Sequence, residues 1–114
     1  MRAWHFSEQS YAPAWDKADP MKITIPSSLF DPEVASQLLN RHLDEWIVAD
    51  ELGLDIMVNE HHSTLSCMSP SPTLPMAILA RETKNARLLA LGIPLGNRPD
   101  PFRIAEEIAL IDLL

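Results

Sequence analysis

The chain's most constraining feature is a set of three proline-marked helix starts, each separated from the next by a short apolar run. Asp31-Pro32, Ser71-Pro72 and Asp100-Pro101 each stand at the head of a segment with helical apolar spacing. An Asp or Ser oxygen accepts hydrogen bonds from the free N–H groups of a first helical turn. Proline then suits the following position, where its missing N–H costs nothing. The spacing predicts a first helix over 32–52, with Val34, Leu38, Leu39, Leu43, Trp46, Ile47 and Val48 as its apolar stripe. Glu33, Asn40, Arg41, Asp44, Glu45 and Asp50 fall mainly outside that stripe, and Gly53 supplies the left-handed residue that ends many helices. A second helix is expected over 72–83, with Leu74, Ala77, Ile78 and Leu79 facing inward. A third runs from 101 to the C-terminus, with Ile104, Ala105, Ile108, Ile111 and Leu114 in register.

Runs of strand length lie between the helices, at 55–59 and 87–93, and a third candidate occupies 2–6. The resulting order is β, α, β, α, β, α, and strands apolar on both faces suit a parallel sheet covered by helices. Residues 7–30 fit less well and read as a long loop with a short extra strand at 22–25. A doubly wound open sheet and a (β/α)8 barrel both accommodate the alternation. The Gly-rich phosphate turn of a dinucleotide-binding fold is missing, because the three glycines lie too far apart to form one. The fold class expected is therefore α/β, a partial (β/α)8 TIM barrel comprising about the first three βα units. A complete barrel takes roughly 250 residues. This 114-residue chain ends on Asp112-Leu113-Leu114, inside an apolar helix without a cap, so the expectation is a truncated piece of one domain.

A formal net charge of −7 disfavours nucleic acid as a partner, since phosphate binding needs a basic surface. Arg81, Lys84, Arg87, Arg98 and Arg103 nonetheless crowd positions 81–103, either as a solvated helix face or as a local anion site. No apolar run approaches the ~20 residues of a membrane span, and the start of the chain does not resemble a signal peptide. A soluble cytoplasmic protein without a membrane partner is expected. The single cysteine, Cys67, excludes an internal disulfide and reads as an incidental loop thiol.

The richest chemistry lies in Asn59-Glu60-His61-His62, where the second strand should end. In a barrel the catalytic face is at the C-terminal ends of the strands. A carboxylate and two imidazoles there can transfer protons or stabilise an anion. A polar loop that happens to contain two histidines fits the local sequence as well. No metal site is expected, because adjacent histidines seldom address one ion and the His-Glu-x-x-His spacing is missing. His42 reads as a surface or half-buried helix residue. Gly92-Ile93-Pro94 ends the third strand on the same face, and a glycine there lets a flat ligand approach closely. A strand that simply stops at a proline is the plainer account.

Four segments resemble the bacterial-luciferase-like family of flavin-dependent monooxygenases. Ala49-Asp50-Glu51-Leu52-Gly53-Leu54-Asp55 resembles its helix-to-strand passage, and Glu60-His61-His62 its Glu-His-His signature. Leu79-Ala80-Arg81-Glu82-Thr83, running on to Arg87-Leu88, is similar to its next helix–strand junction. Asn97-Arg98-Pro99-Asp100-Pro101-Phe102-Arg103-Ile104-Ala105-Glu106-Glu107, followed by Ile111-Asp112, is similar to its third helix. Members continue with a Gly-Arg pair and five further βα units, so the resemblance implies the N-terminal portion of such an enzyme, inactive alone. It implies an oxidoreductase that takes reduced flavin, FMN or else a deazaflavin, and uses O2 to oxidise a small organic substrate. A flavin reductase as partner and a homo-oligomeric full-length form are implied as well. His61 and Glu60 would be the catalytic residues, His61 the proton-transfer group. Asn59, His62, Gly92, Ile93 and Pro94 would line the cofactor, with a strained or cis peptide near 92–94. A non-catalytic α/β binding module and a nonfunctional truncation product are the competing readings.

Overall fold

The computed structural model describes residues 1–18 and 26–114. Its elements are β1 (Trp4–Phe6), α1 (Pro32–Glu51), β2 (Asp55–Val58), α2 (Thr73–Glu82), β3 (Leu88–Ala90) and α3 (Pro101–Ile111). Short 3-10 helices lie at Ala12–Lys17, Ser27–Leu29 and Leu95–Asn97. The expected strand at 22–25 lies outside the described residues. The three strands form one parallel sheet in the order β1-β2-β3.

Local chemistry explains the helix boundaries. The Asp31 carboxylate accepts from the N–H groups of Glu33 and Val34 at 2.9 and 3.3 Å, and Pro32 follows it. At the other end the Gly53 N–H donates to the Asp50 carbonyl and the Leu54 N–H to the Ala49 carbonyl, each at 2.9 Å. This pair of bonds needs a left-handed residue at position 53, and Gly53 has φ +76°. The cap at Asp100 also forms, accepting from the Phe102 N–H at 3.0 Å. Ser71 does not cap: its hydroxyl meets the Thr73 hydroxyl at 3.3 Å, and Pro72 already has helical dihedrals.

Register assigns the two faces of the sheet. His5, Ile56 and Leu88 stand side by side, as do Phe6, Met57 and Leu89. Because side chains alternate along a strand, Ile56, Val58, Leu88 and Ala90 share one face. They pack there with Trp46 and Ala49 of α1 and Met76 and Leu79 of α2, while Ile108 and Ile111 of α3 are half-buried against the same cluster. Trp46, Ile56, Val58 and Leu79 are fully buried, and each such side chain contributes ~2–3 kcal/mol of hydrophobic stabilisation. The opposite face is partly open among the described residues. Phe6 is 41% and Leu89 39% exposed there.

Several expected inward residues point outward instead. Leu74, Ile78 and Val48 are exposed, whereas Met76 and Trp46 are buried. Each outward residue is two positions from a buried one, about 200° around a helix of 3.6 residues per turn. Both helices therefore carry a second apolar face. On α3, Ile104, Ile108 and Ile111 are half-buried and Ala105 is exposed; the helix expected to reach the C-terminus ends at Ile111, and the exposed Leu114 lies beyond it. Asp50 moves the other way, from the expected solvent side into the interior.

The long segment after β1 is not a free loop where it is described. Tyr11, Ala14 and Ala35 form a second small core with Leu65. The Tyr11 N–H donates to the Leu65 carbonyl at 2.7 Å, and the Met68 N–H donates to the Gln9 carbonyl at 3.0 Å. The β1α1 segment thus braces the loop that follows β2.

Candidate functional site

Three parallel strands bring their C-terminal ends to one side, so residues after Phe6, Val58 and Ala90 converge there. The Leu91 N–H donates to the Val58 carbonyl at 2.6 Å and carries the sheet one residue further. The chain then turns at Gly92, where φ is +91° and a Cβ would meet nothing within 4 Å. Described peptide bonds are all trans, so the unusual geometry near 92–94 lies in the Gly92 φ alone. Ile93 is half-buried, and the exposed Pro94 heads the turn that delivers Arg98.

Arg98 reaches back to the end of β2. Its Nη2 donates to Glu60 Oε2 at 2.6 Å, while His62 Nε2 stands 2.9 Å from Glu60 Oε1. The Glu60 side chain is inaccessible to solvent. A buried carboxylate is costly unless both oxygens find partners, and here they do. Glu60 therefore ties the β3α3 loop to the end of β2. His62 is about half exposed.

His61 occupies a different setting. Its backbone N–H donates to the Ser69 carbonyl at 3.2 Å, and its exposed ring lines a cleft of about 260 Å³. The walls include Phe30, Leu65, Cys67, Met68 and Pro70. Behind the ring lies Asn59, 3% exposed, with Nδ2 3.3 Å from His61 Nδ1. Asn59 Oδ1 lies 3.4 Å from the Cys67 sulfur. Cys67, expected to be an incidental loop thiol, is instead buried beside this amide. Burial pushes its thiol pKa up against the hydrogen bonds that would lower it, so it stays S–H at neutral pH.

All seven expected site residues thus gather at one end of the sheet, with Glu60 internal and His61 facing the cleft. Arg98 and Cys67 are the additions. Arg98 stood in a run read as a solvated helix face or a local anion site, and its partner lies 38 positions earlier. The basic run is partly spent inside the chain. Besides Arg98, Arg87 pairs with Asp55 at 2.7 Å and Arg103 with Glu106 at 3.0 Å. His42 is half-buried, its Nδ1 3.2 Å from Glu45. Among the described residues no group of three or more His, Cys, Asp or Glu is placed to hold a metal ion. No described helix is long and apolar enough to cross a membrane.

The opposite end of the sheet is a charged scaffold. Arg87 grips Asp55 through its guanidinium and its own backbone N–H, and Arg2 joins at 3.2 Å. These bonds, led by the Arg87 side chain, hold the Asp55 carboxyl down at about 2. Burial would push the Asp50 carboxyl up, but the N–H groups of Lys84, Asn85 and Ala86 hold it below its ordinary range.

The family model described as luciferase-like monooxygenase matches residues 21–114. The oxygenase component of the flavin-dependent trigonelline monooxygenase of Acinetobacter baylyi is 31% identical over 85 residues. That match covers 74% of this chain and 23% of that protein. Among solved structures, the oxygenating constituent of 3,6-diketocamphane monooxygenase from Pseudomonas putida, a type II Baeyer-Villiger monooxygenase in complex with FMN, matches with a TM-score of 0.72. Identity is 20%, and the match covers 97% of this chain and 26% of that one. The chain spans about a quarter of the length of these relatives.

Proposed function

The chain belongs to the luciferase-like monooxygenase family, and from that premise we propose that residues 1–114 supply the first three βα units of a (β/α)8 barrel in a flavin-dependent monooxygenase. The uncovered apolar sheet face of Phe6, Met57 and Leu89 supports the barrel reading, because in a closed barrel such a face packs against the remaining strands. A groove of about 370 Å³ beside His5, Val48, Leu52 and Leu54 leaves the outer flank of β1 and α1 equally uncovered. The proposed enzyme is cytoplasmic, takes FMN or a deazaflavin in its reduced form, and acts on a small organic substrate with O2. The named relative is an oxygenase component, which favours a separate flavin reductase as partner. A homo-oligomeric full-length form is part of the same proposal.

One observation carries the site assignment: the convergence of Asn59, Glu60, His61 and His62 with the Gly92 turn at adjacent strand ends. These residues fit one edge of a flavin. The open space above Gly92 admits a flat ring, and Ile93 and Pro94 would flank it. His62 would offer a polar contact, and Asn59, buried behind His61, would support that ring rather than meet the ligand. The fit stops at the ring system, because Arg98, the guanidinium at this end, is already committed to Glu60. A phosphate group would have to be held by later units.

When bound, reduced flavin supplies the electrons with which O2 is activated. The chain's own residues do the rest of what is proposed. His61, exposed at the cleft, moves a proton at its free ring nitrogen. Glu60 acts through its buried ion pairs, fixing His62 and the β3α3 loop around the site. Phe30, Leu65 and Met68 give the cleft beside His61 an apolar wall.

A flavin titration by fluorescence quenching tests this reading on the 114-residue chain and on a form extended through further βα units. Binding is expected only in the extended form, weakened by His61→Ala and Glu60→Ala, with no substrate turnover by the 114-residue chain. Absence of flavin binding in both forms would refute the assignment. A cooperatively melting monomer would then favour the non-catalytic binding module over a nonfunctional truncation product, a reading to which the fully buried core of Trp46, Ile56, Val58 and Leu79 lends support.

A further inference from the structure

A buried relay stands behind the exposed ring of His61. The Cys67 sulfur lies 3.4 Å from Asn59 Oδ1, and Asn59 Nδ2 lies 3.3 Å from His61 Nδ1. Hydrogen-bond polarity can be followed along it from one end. A thiol sulfur accepts only weakly, so the stronger arrangement has the S–H donating to the amide carbonyl oxygen that faces it. The –NH2 group of Asn59 then faces the ring, and it can only donate. His61 Nδ1 must accept, so the ring proton resides on Nε2. Cys67 and Asn59 are both almost wholly buried, at 2% and 3% exposure, so water does not compete for the thiol–amide contact. The alternative acceptor for the thiol, the Ser69 carbonyl, is farther away at 3.6 Å.

We propose that Cys67 and Asn59 are positioning residues that lock His61 in the Nε2–H tautomer, so that His61 presents a hydrogen-bond donor to the cleft it lines. The two ring nitrogens of a histidine are distinct, and the partner of one decides the state of the other. None of the described side chains lining the cleft is an acid, a lysine or an arginine. The Nε2–H therefore faces an uncharged space in which a donor is poised toward an acceptor atom. The inference rests on the proposed function only for what occupies the cleft. The tautomer itself is a property of this chain without any cofactor.

The test is a two-bond 1H–15N correlation spectrum of the 15N-labelled chain at alkaline pH, where imidazoles are neutral. The His61 signals are identified by their loss in His61→Gln. Wild type is expected to show His61 in the Nε2–H form alone. Asn59→Asp replaces the –NH2 donor with an acceptor, so the ring should move toward Nδ1–H. Cys67→Ala frees the amide to turn over and should give a mixture, whereas Cys67→Ser keeps the donor and the wild-type tautomer. The ratio of the two forms is expected to change by about fivefold or more, the equivalent of one ordinary hydrogen bond. A wild-type mixture, or a ratio that Asn59→Asp and Cys67→Ala both leave unchanged, would overturn the proposal. If Asn59→Asp does not fold, the comparison of Cys67→Ala with Cys67→Ser decides alone. Loss or retention of flavin binding is read separately, so either idea can fail without the other.

Discussion

Replacing Asp50 by alanine removes a clamp that joins the end of α1 to the turn between α2 and β3. The carboxylate accepts three backbone N–H groups, from Lys84 at 2.9 Å, Asn85 at 2.9 Å and Ala86 at 2.7 Å. Hydrogen bonds to a charged acceptor are worth ~1.5–3 kcal/mol each. The full sum is not lost, because Lys84 and Asn85 are exposed and their N–H groups can return to water. Ala86 is half-buried and packs against the main core, so its N–H loses its partner outright. A net cost of ~3 kcal/mol follows for Asp50→Ala, with ~1–2 kcal/mol for Asp50→Asn, which keeps one acceptor oxygen. Domains of this kind have ~5–15 kcal/mol in total, so the alanine variant should fold but melt early. With a urea slope of ~1–3 kcal/mol per molar, the midpoint of Asp50→Ala should fall by ~1–3 M. Tryptophan fluorescence during urea titration reads this directly. A midpoint shift below ~0.3 M at an unchanged slope would mean that the clamp is ornamental and the reasoning wrong.

Two further tests address the ends of the sheet. Arg98→Ala leaves the Glu60 carboxylate buried with His62 as its remaining partner and should cost ~2–3 kcal/mol, with faster amide exchange at Leu91; unchanged stability would contradict the pairing. Asp55 has a folded pKa of about 2, below its ordinary 3.8, so its stabilisation is present above 3.8 and lost as pH falls toward 2. An acid titration of Asp55→Asn should therefore show a shallower loss of stability across that window than wild type, and equal slopes would refute it.

Helix positions were legible in the sequence because caps and periodicity are local. Asp31-Pro32 and Asp100-Pro101 behave as the backbone chemistry requires, and Gly53 ends α1 with the left-handed dihedral anticipated for it. Ser71 failed as a cap since a serine oxygen has other partners within reach, here Thr73. Which apolar face turns inward was less legible. Leu74 and Met76 are equally apolar, and only the position of the sheet selects Met76. The strand-end cluster was visible as a run of four polar residues, but the division of labour within it was not. Glu60 is internal and His61 external because Arg98 and Cys67 arrive from elsewhere in the chain, and no local pattern encodes such arrivals. Asp50 was misread for the same reason, as its three donors lie 34–36 positions away.

The placement of charge separates two tasks. At the N-terminal ends of the strands, Asp55 with Arg2 and Arg87, and Asp50 with the turn at 84–86, join elements through paired or hydrogen-bonded carboxylates. At the C-terminal ends, one carboxylate is likewise enclosed, yet its neighbour His61 is held out in the open by a neutral amide and thiol. An acid behind His61 would place a charge against Nδ1, whereas the Asn59 –NH2 group places an uncharged donor there. A chain that needed the strand-end histidine merely for cohesion would gain more from the charged partner. The neutral relay makes sense where the ring must remain free to exchange a proton, which is why the state of His61, more than the stability of the core, is where the functional reading stands or falls.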